Sequence, residues 1–181
     1  MSPHSVGPIA AAGLRLRGYA RVGEALLLLL GLSAAQQWLP LGTWAPLLGR
    51  PTPVPESWQG LPLAESLPRI WGHGREVRVC SALERAQARL PWRPSCLARA
   101  AAVQIMLRRR QSGGVVVIGL RPQPQGAPLV HAWLLGRSGC LVGGGEAQGF
   151  TPTTLFEVPQ GSRIRRSTAV TSSVSRDATL R

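Results

Sequence analysis

A chain of 181 residues has room for about one compact domain with an appendage, since domains of soluble proteins run to roughly 150 residues. Its 44% hydrophobic and 16% charged content excludes both a polar disordered chain and a multi-pass membrane protein. All 21 basic residues are Arg, Asp177 is the sole aspartate, and the formal net charge is +13.

Such a charge favours anionic partners: nucleic acid, acidic lipid or an acidic peptide. Part of it reflects the Ala, Gly, Pro and Arg excess of a GC-rich coding sequence. Nucleic acid is not expected, because the arginines are scattered and accompany no zinc-finger, RNA-recognition or helix-turn-helix pattern. Cys80, Cys96 and Cys140 are too few for a disulfide scaffold and lack the paired spacing of a zinc site. No cofactor is called for.

The most apolar run is Ala25 to Ala35 (ALLLLLGLSAA), with Arg15, Arg17 and Arg21 before it. A basic start, a short apolar stretch and small residues fit a signal peptide, which would make this an exported basic protein. Glu24 at the mouth of the stretch and the absence of a disulfide framework argue instead for a helix packed on the domain or on a partner. Contact with a membrane surface is the second reading.

Pro51 to Pro68 carries five prolines and reads as a connector. In EVRVCSALERAQARL, residues 76 to 90, Val79, Leu83, Ala86 and Leu90 recur at three and four residues, one buried face of a helix that ends before Pro91. A second helix follows in CLARAAAVQIMLRRRQ, residues 96 to 111, with Leu97, Ala100, Ala101, Gln104 and Leu107 or Arg108 at helical spacing. Ser95 is its N-cap, and Arg108 to Arg110 suit the negative end of its dipole.

VVVIGL at 115 to 120 and LVHAWLLG at 129 to 136 have the content of strands. RSG then turns the chain into CLVGG, giving an antiparallel hairpin, and FTPTTLFEVP adds a further strand. The Ser/Thr/Arg tail from residue 160 has little to bury and is expected to be disordered. The organisation is therefore a helical extension and connector over 1–68, a core over 69–159 and a basic tail over 160–181.

Cys96 begins the Ala-rich helix, where unsatisfied backbone N–H groups and the helix dipole favour a thiolate. His131 lies 35 residues downstream in a strand, on the same face as Trp133 and opposite Val130, Ala132 and Leu134. A helix-start cysteine with a strand histidine is the arrangement of papain-like and transglutaminase-like hydrolases. The imidazole takes the thiol proton and later protonates a leaving amine. His4, in the start of the chain, and His73, in a Gly-flanked turn, are weaker candidates. The group that orients the imidazole is then Glu146, Glu157 or a glutamine such as Gln148, with Glu146 preferred. The oxyanion donors are the backbone N–H of Cys96 and one group that sequence does not identify. Cys80 and Cys140, without a helix-start position, are structural.

The segments LPWRPSCLARAAAVQIMLRRR and HAWLLGRSGCLVGGGEAQGFTP resemble the transglutaminase-like leader peptidases of lasso-peptide biosynthesis, the B proteins. The resemblance covers residues 77 to 158, and PWR-x-x-C-L with a later HAW carries it. It extends upstream to LLLLLGL and WLPLGTWAPLLGR, against a cleaved signal.

The resemblance implies an α+β fold with a papain-like core, the cysteine-bearing helix packed on a small antiparallel sheet behind an N-terminal helical extension. It also implies a cytoplasmic cysteine peptidase that removes the leader from a ribosomally made precursor, before a partner cyclase closes the macrolactam. Cys96 is then the nucleophile and His131 the base. Family members usually carry an aspartate twelve residues after the histidine; here that position is Gly143, so Glu146 replaces it or the site works as a dyad. Residues 1 to 75 do not suit the winged-helix module of the fused forms, so a separate leader-recognition protein is implied. Trp92 and Trp133 flank the two catalytic candidates and are expected to line the substrate groove. The rival reading is a non-catalytic scaffold that binds precursor or cyclase through the same fold.

Overall fold

The computed structural model describes residues 8–58, 74–137 and 139–158. His4, His73 and the tail expected from residue 160 lie outside them, as does most of the proline-rich connector.

Among the described residues, three long helices pack together on one side of a sheet, the first of them resting on the other two. Helix α1 runs over Pro8–Trp38, far beyond the apolar run that marks it in the sequence, and stops two residues before Pro40, whose ring cannot continue a helix. A single turn, α2 (Leu41–Trp44), follows. Helix α3 spans Arg75–Gln87 and buries Val79, Ala82, Leu83 and Ala86, the face its spacing predicts. Helix α4 spans Cys96–Arg108, and its N-cap Ser95 accepts a hydrogen bond from the Ala98 N–H at 3.1 Å.

Five strands, β1 (Arg50–Thr52), β2 (Val115–Arg121), β3 (Leu129–Gly136), β4 (Gly139–Val142) and β5 (Thr151–Glu157), form one sheet in the order β1-β5-β2-β3-β4. Every pairing is antiparallel. Strand β1 overlaps the start of the expected connector. Among the described residues it is a short edge strand paired only to β5, and a proline is tolerated at such an edge because one side of the strand needs no ladder donor.

Val22, Ala25, Leu29 and Leu32 of α1 join the same core as Val79 of α3, Ala100 and Val103 of α4, and Val116, Leu134 and Phe156 of the sheet. Deleting α1 would expose these fully or nearly buried groups to water. A smaller cluster of Val117, Trp133, Leu135, Ala147 and Leu155 lies on the opposite sheet face, covered by Val54, Trp58 and Phe150.

Helix α4 lies between the sheet and the other two long helices, so its burial is not confined to one stripe. Ala98, Ala100, Ala101, Ala102, Val103, Met106 and Leu107 are all fully buried. Gln104 is buried among them, its amide donating to the carbonyls of Leu48 (3.1 Å) and Gly114 (2.8 Å) and accepting from the Gly114 N–H (3.1 Å). Those bonds tie α4 to the chain after α1 and to the entry of β2. Each buried polar atom of Gln104 is satisfied, as a core requires.

Candidate active site

The start of α4 meets the middle of the sheet at β3. Cys96 is the first residue of the helix, directly after its cap. Ser95 Oγ also donates to Gln36 Oε1 of α1 at 2.6 Å, so the long helix steadies the cap beside Cys96.

His131 faces Gly119 of β2 across the β2–β3 pairing and is 5% exposed. Its ring stacks on Trp133 with centroids 5.9 Å apart and lies 5.2 Å from the ring of Phe150. The His131 Nε2–H donates to the Gly143 carbonyl at 2.9 Å. A carbonyl only accepts, so this bond puts a proton on Nε2 and leaves Nδ1 as the basic nitrogen of the neutral ring.

Cys96 and His131 form a hydrogen-bonded pair. Burial pushes the Cys96 thiol up, but the bond to His131, the backbone N–H of Ala132, the imidazolium charge and the N–H of Leu97 together hold it below the usual cysteine value. The same bond to Cys96 lifts His131 above the ordinary histidine value; burial opposes the lift, while the Gly143 carbonyl, the thiolate and the Glu146 charge add to it. The two shifts have the directions of a thiolate–imidazolium pair.

The ring's acceptor is thus a main-chain oxygen at the position twelve residues after the histidine. Gly143 adopts φ +80°, and a Cβ there would meet the Ala132 carbonyl at 2.8 Å. Glu146, in a single 3-10 turn (Gly144–Glu146), is largely exposed and stands 3.7 Å from Arg99 of α4. It acts on His131 through its charge, while the hydrogen bond belongs to Gly143. Glu157 lies at the far end of β5, opposite Val115 rather than the Gly119 that faces His131, about 15 Å along the strand. Gln148 is exposed in the turn after Glu146.

Trp92 is exposed in the loop before α4, whereas Trp133 is 1% exposed. Trp133 does not line an open groove: strand alternation puts it under the imidazole, inside the smaller core. Gly119 makes that possible, since a Cβ there would come within 2.7 Å of the Trp133 ring. Cys80 is a thiol of a different kind, its Sγ 3.9 Å from the Leu141 carbonyl and pushed by burial up to about 12.

A family model of the transglutaminase-like superfamily matches residues 26–154, from the middle of α1 into β5 and across Cys96, His131, Gly143 and Glu146. The chain belongs to the transglutaminase-like superfamily. No curated protein and no solved structure matches it. For a transglutaminase-like domain the sequence marks the cysteine and histidine clearly. It hides the Gly143 carbonyl, the Ala132 N–H and the Gln36 contact, two of which are backbone groups without a side-chain signature. The one visible trace of the first is a glycine where a carboxylate was expected.

Proposed function

We propose that this chain is a cysteine peptidase that removes the leader from a ribosomally made lasso-peptide precursor, acting in the cytoplasm beside a separate leader-recognition protein and a cyclase. The Cys96–His131 pair, with Nε2 held by Gly143, carries the reading. Membership of the superfamily and the PWR-x-x-C-L and HAW segments support it.

In the reaction, Cys96 Sγ attacks the scissile carbonyl carbon and the carbonyl electrons move to oxygen. Collapse of that tetrahedral adduct breaks the C–N bond as Nδ1–H of His131 protonates the departing amine. Water then attacks the thioester, Nδ1 takes its proton, and the thiolate leaves as the leader is released as a carboxylic acid. The Cys96 N–H, at the first position of α4 where no helical acceptor precedes it, supplies one oxyanion donor.

The test is mass spectrometry of the precursor encoded beside the gene, incubated with its leader-recognition protein and wild-type chain or Cys96→Ala. Leader loss with wild type alone is expected. Equal processing by both, or binding without cleavage by either, would make the chain a scaffold and Cys96 a packing residue.

A further inference from the structure

Helix α1 is apolar on the side turned away from the domain as well as on the side that packs. Leu16, Tyr19, Leu27, Leu30 and Trp38 are 72%, 70%, 73%, 43% and 81% exposed. Their spacings of three and eight residues put them on one face, with Ala20, Gly23, Gly31 and Ala34 between them. A Cβ built at Gly23 or Gly31 meets nothing within 4 Å, so no described part of the chain covers this strip. It runs for about 33 Å at the helical rise without a charged residue. Surfaces of that kind are interaction sites in proteins that stay soluble.

Among the described residues α1 is the one helix long and apolar enough to cross a membrane, over Leu16–Trp38. Its other face is committed to the core through Val22, Ala25, Leu29 and Leu32. While docked, it can lie along a lipid surface but cannot be surrounded by lipid.

A second feature flanks the strip. Arg21 of α1, Arg75 and Arg78 of α3, and Arg110 just beyond α4 line a cavity of about 170 Å³. Arg75 donates to the Arg110 carbonyl at 2.9 Å, and Arg110 pairs with Glu24 at 2.5 Å. The guanidinium groups of Arg21 and Arg78 form no hydrogen bond or ion pair with a described residue. Burial lowers the affinity of Arg21 for its proton, and repulsion from Arg78, Arg110 and Arg17 lowers it further. A phosphate would relieve that repulsion and accept forked guanidinium bonds. Arg17 and Arg21 lie along one edge of the apolar strip, as basic residues do on helices that rest in a membrane interface.

We propose that α1 and this arginine pocket dock the protein on an anionic membrane, the apolar strip entering the headgroup boundary and a lipid phosphate seated between Arg21 and Arg78. A second copy of the chain is the poorer occupant, because it would bring together two molecules of formal charge +13 each.

The test is flotation of the full chain with vesicles of phosphatidylcholine alone or mixed with phosphatidylglycerol. Circular dichroism and the rate of Cys96 alkylation serve as folding controls for the variants. Wild type is expected to float with the anionic vesicles, to stay behind with the neutral ones and to be released by high salt. Leu27→Glu and the double variant Arg21→Glu/Arg78→Glu should each cut the bound fraction about tenfold with the controls unchanged. Failure to bind anionic vesicles would overturn the proposal, as would equal, salt-insensitive binding to both kinds. So would a dimer in sedimentation that Leu27→Glu dissolves while vesicles are ignored, or stabilisation by inorganic phosphate without any vesicle binding.

Discussion

The Nε2–H of His131 rests on the carbonyl oxygen of Gly143 at 2.9 Å, so the imidazole is oriented by the main chain. A neutral oxygen still selects the tautomer and favours the imidazolium, though with less charge stabilisation than a carboxylate gives. The geometry therefore gives the proposed Cys96–His131 dyad a main-chain acceptor in place of a carboxylate.

Cys96 should alkylate with an apparent midpoint below the 9.0 of a free thiol. Because His131 stays protonated above its ordinary 6.5, the ion pair should persist from the acid limb set by Cys96 to an alkaline limb set by His131. His131→Ala should move the alkylation midpoint back toward the free-thiol value and slow leader cleavage by about a hundredfold or more. Cys80, pushed up to about 12, should label far more slowly at neutral pH. Iodoacetamide rates followed by peptide mass mapping check all of this; a midpoint unmoved by His131→Ala would sink the ion pair.

Placing at position 143 the aspartate usual in the leader peptidases that the sequence resembles should impair the proposed activity. Gly143→Asp puts a Cβ against the Ala132 carbonyl at a residue with positive φ, a strain of about 1–3 kcal/mol. The carbonyl should then swing off the ring. Thermal unfolding and cleavage kinetics should both worsen, and a gain in rate would show that the side-chain acceptor is accommodated after all.

Gly119→Ala acts from beneath the histidine. The added methyl would meet the Trp133 ring at 2.7 Å and the Thr151 carbonyl at 3.0 Å, an overpacking cost of about 1–3 kcal/mol. Trp133 and the stacked imidazole should shift together, so cleavage should fall even at temperatures where the variant remains folded. Tryptophan fluorescence beside the rate would register the movement.

Gln104→Leu removes an amide that serves two carbonyls and one N–H. Leaving them buried without partners should cost about 3 kcal/mol, visible as a lower denaturant midpoint at unchanged slope.

Glu24 ties α1 to the end of α4 through Arg110 and Arg109. Burial opposes its ionisation, but bonds to those arginines outweigh burial and hold its carboxyl below the usual 4.5. A carboxyl depressed in the folded state contributes stability above its unfolded value and loses it as pH falls through the folded one. Glu24→Gln should therefore cost about 1–2 kcal/mol near neutrality, with the gap to wild type closing below pH 4.5. Urea titrations across that range measure it.

Periodicity and capping residues are local, and they locate α3, α4 and strands β2 to β5 within a few residues. Ser95 and Cys96 read as cap and first residue because both signals lie next to each other in the chain. Strand β1 escaped because Arg50-Pro51-Thr52 has no strand composition, its pairing coming from β5 more than a hundred residues away. Helical spacing identifies α4 without showing its burial on all sides, which follows from neighbours that local spacing does not encode. Trp133 was placed on the correct strand face, but whether that face is open or covered depends on Gly119, Phe150 and Trp58.

The run of alanines in α4 makes the support of Cys96 an interior element, clasped on every side instead of hung from a surface loop. Ala98, Ala100, Ala101 and Ala102 have no exposed surface, so the helix cannot loosen by itself while the rest of the domain stays intact. Heat inactivation and global melting should accordingly coincide. A chain that has lost its chemistry would already have lost its shape.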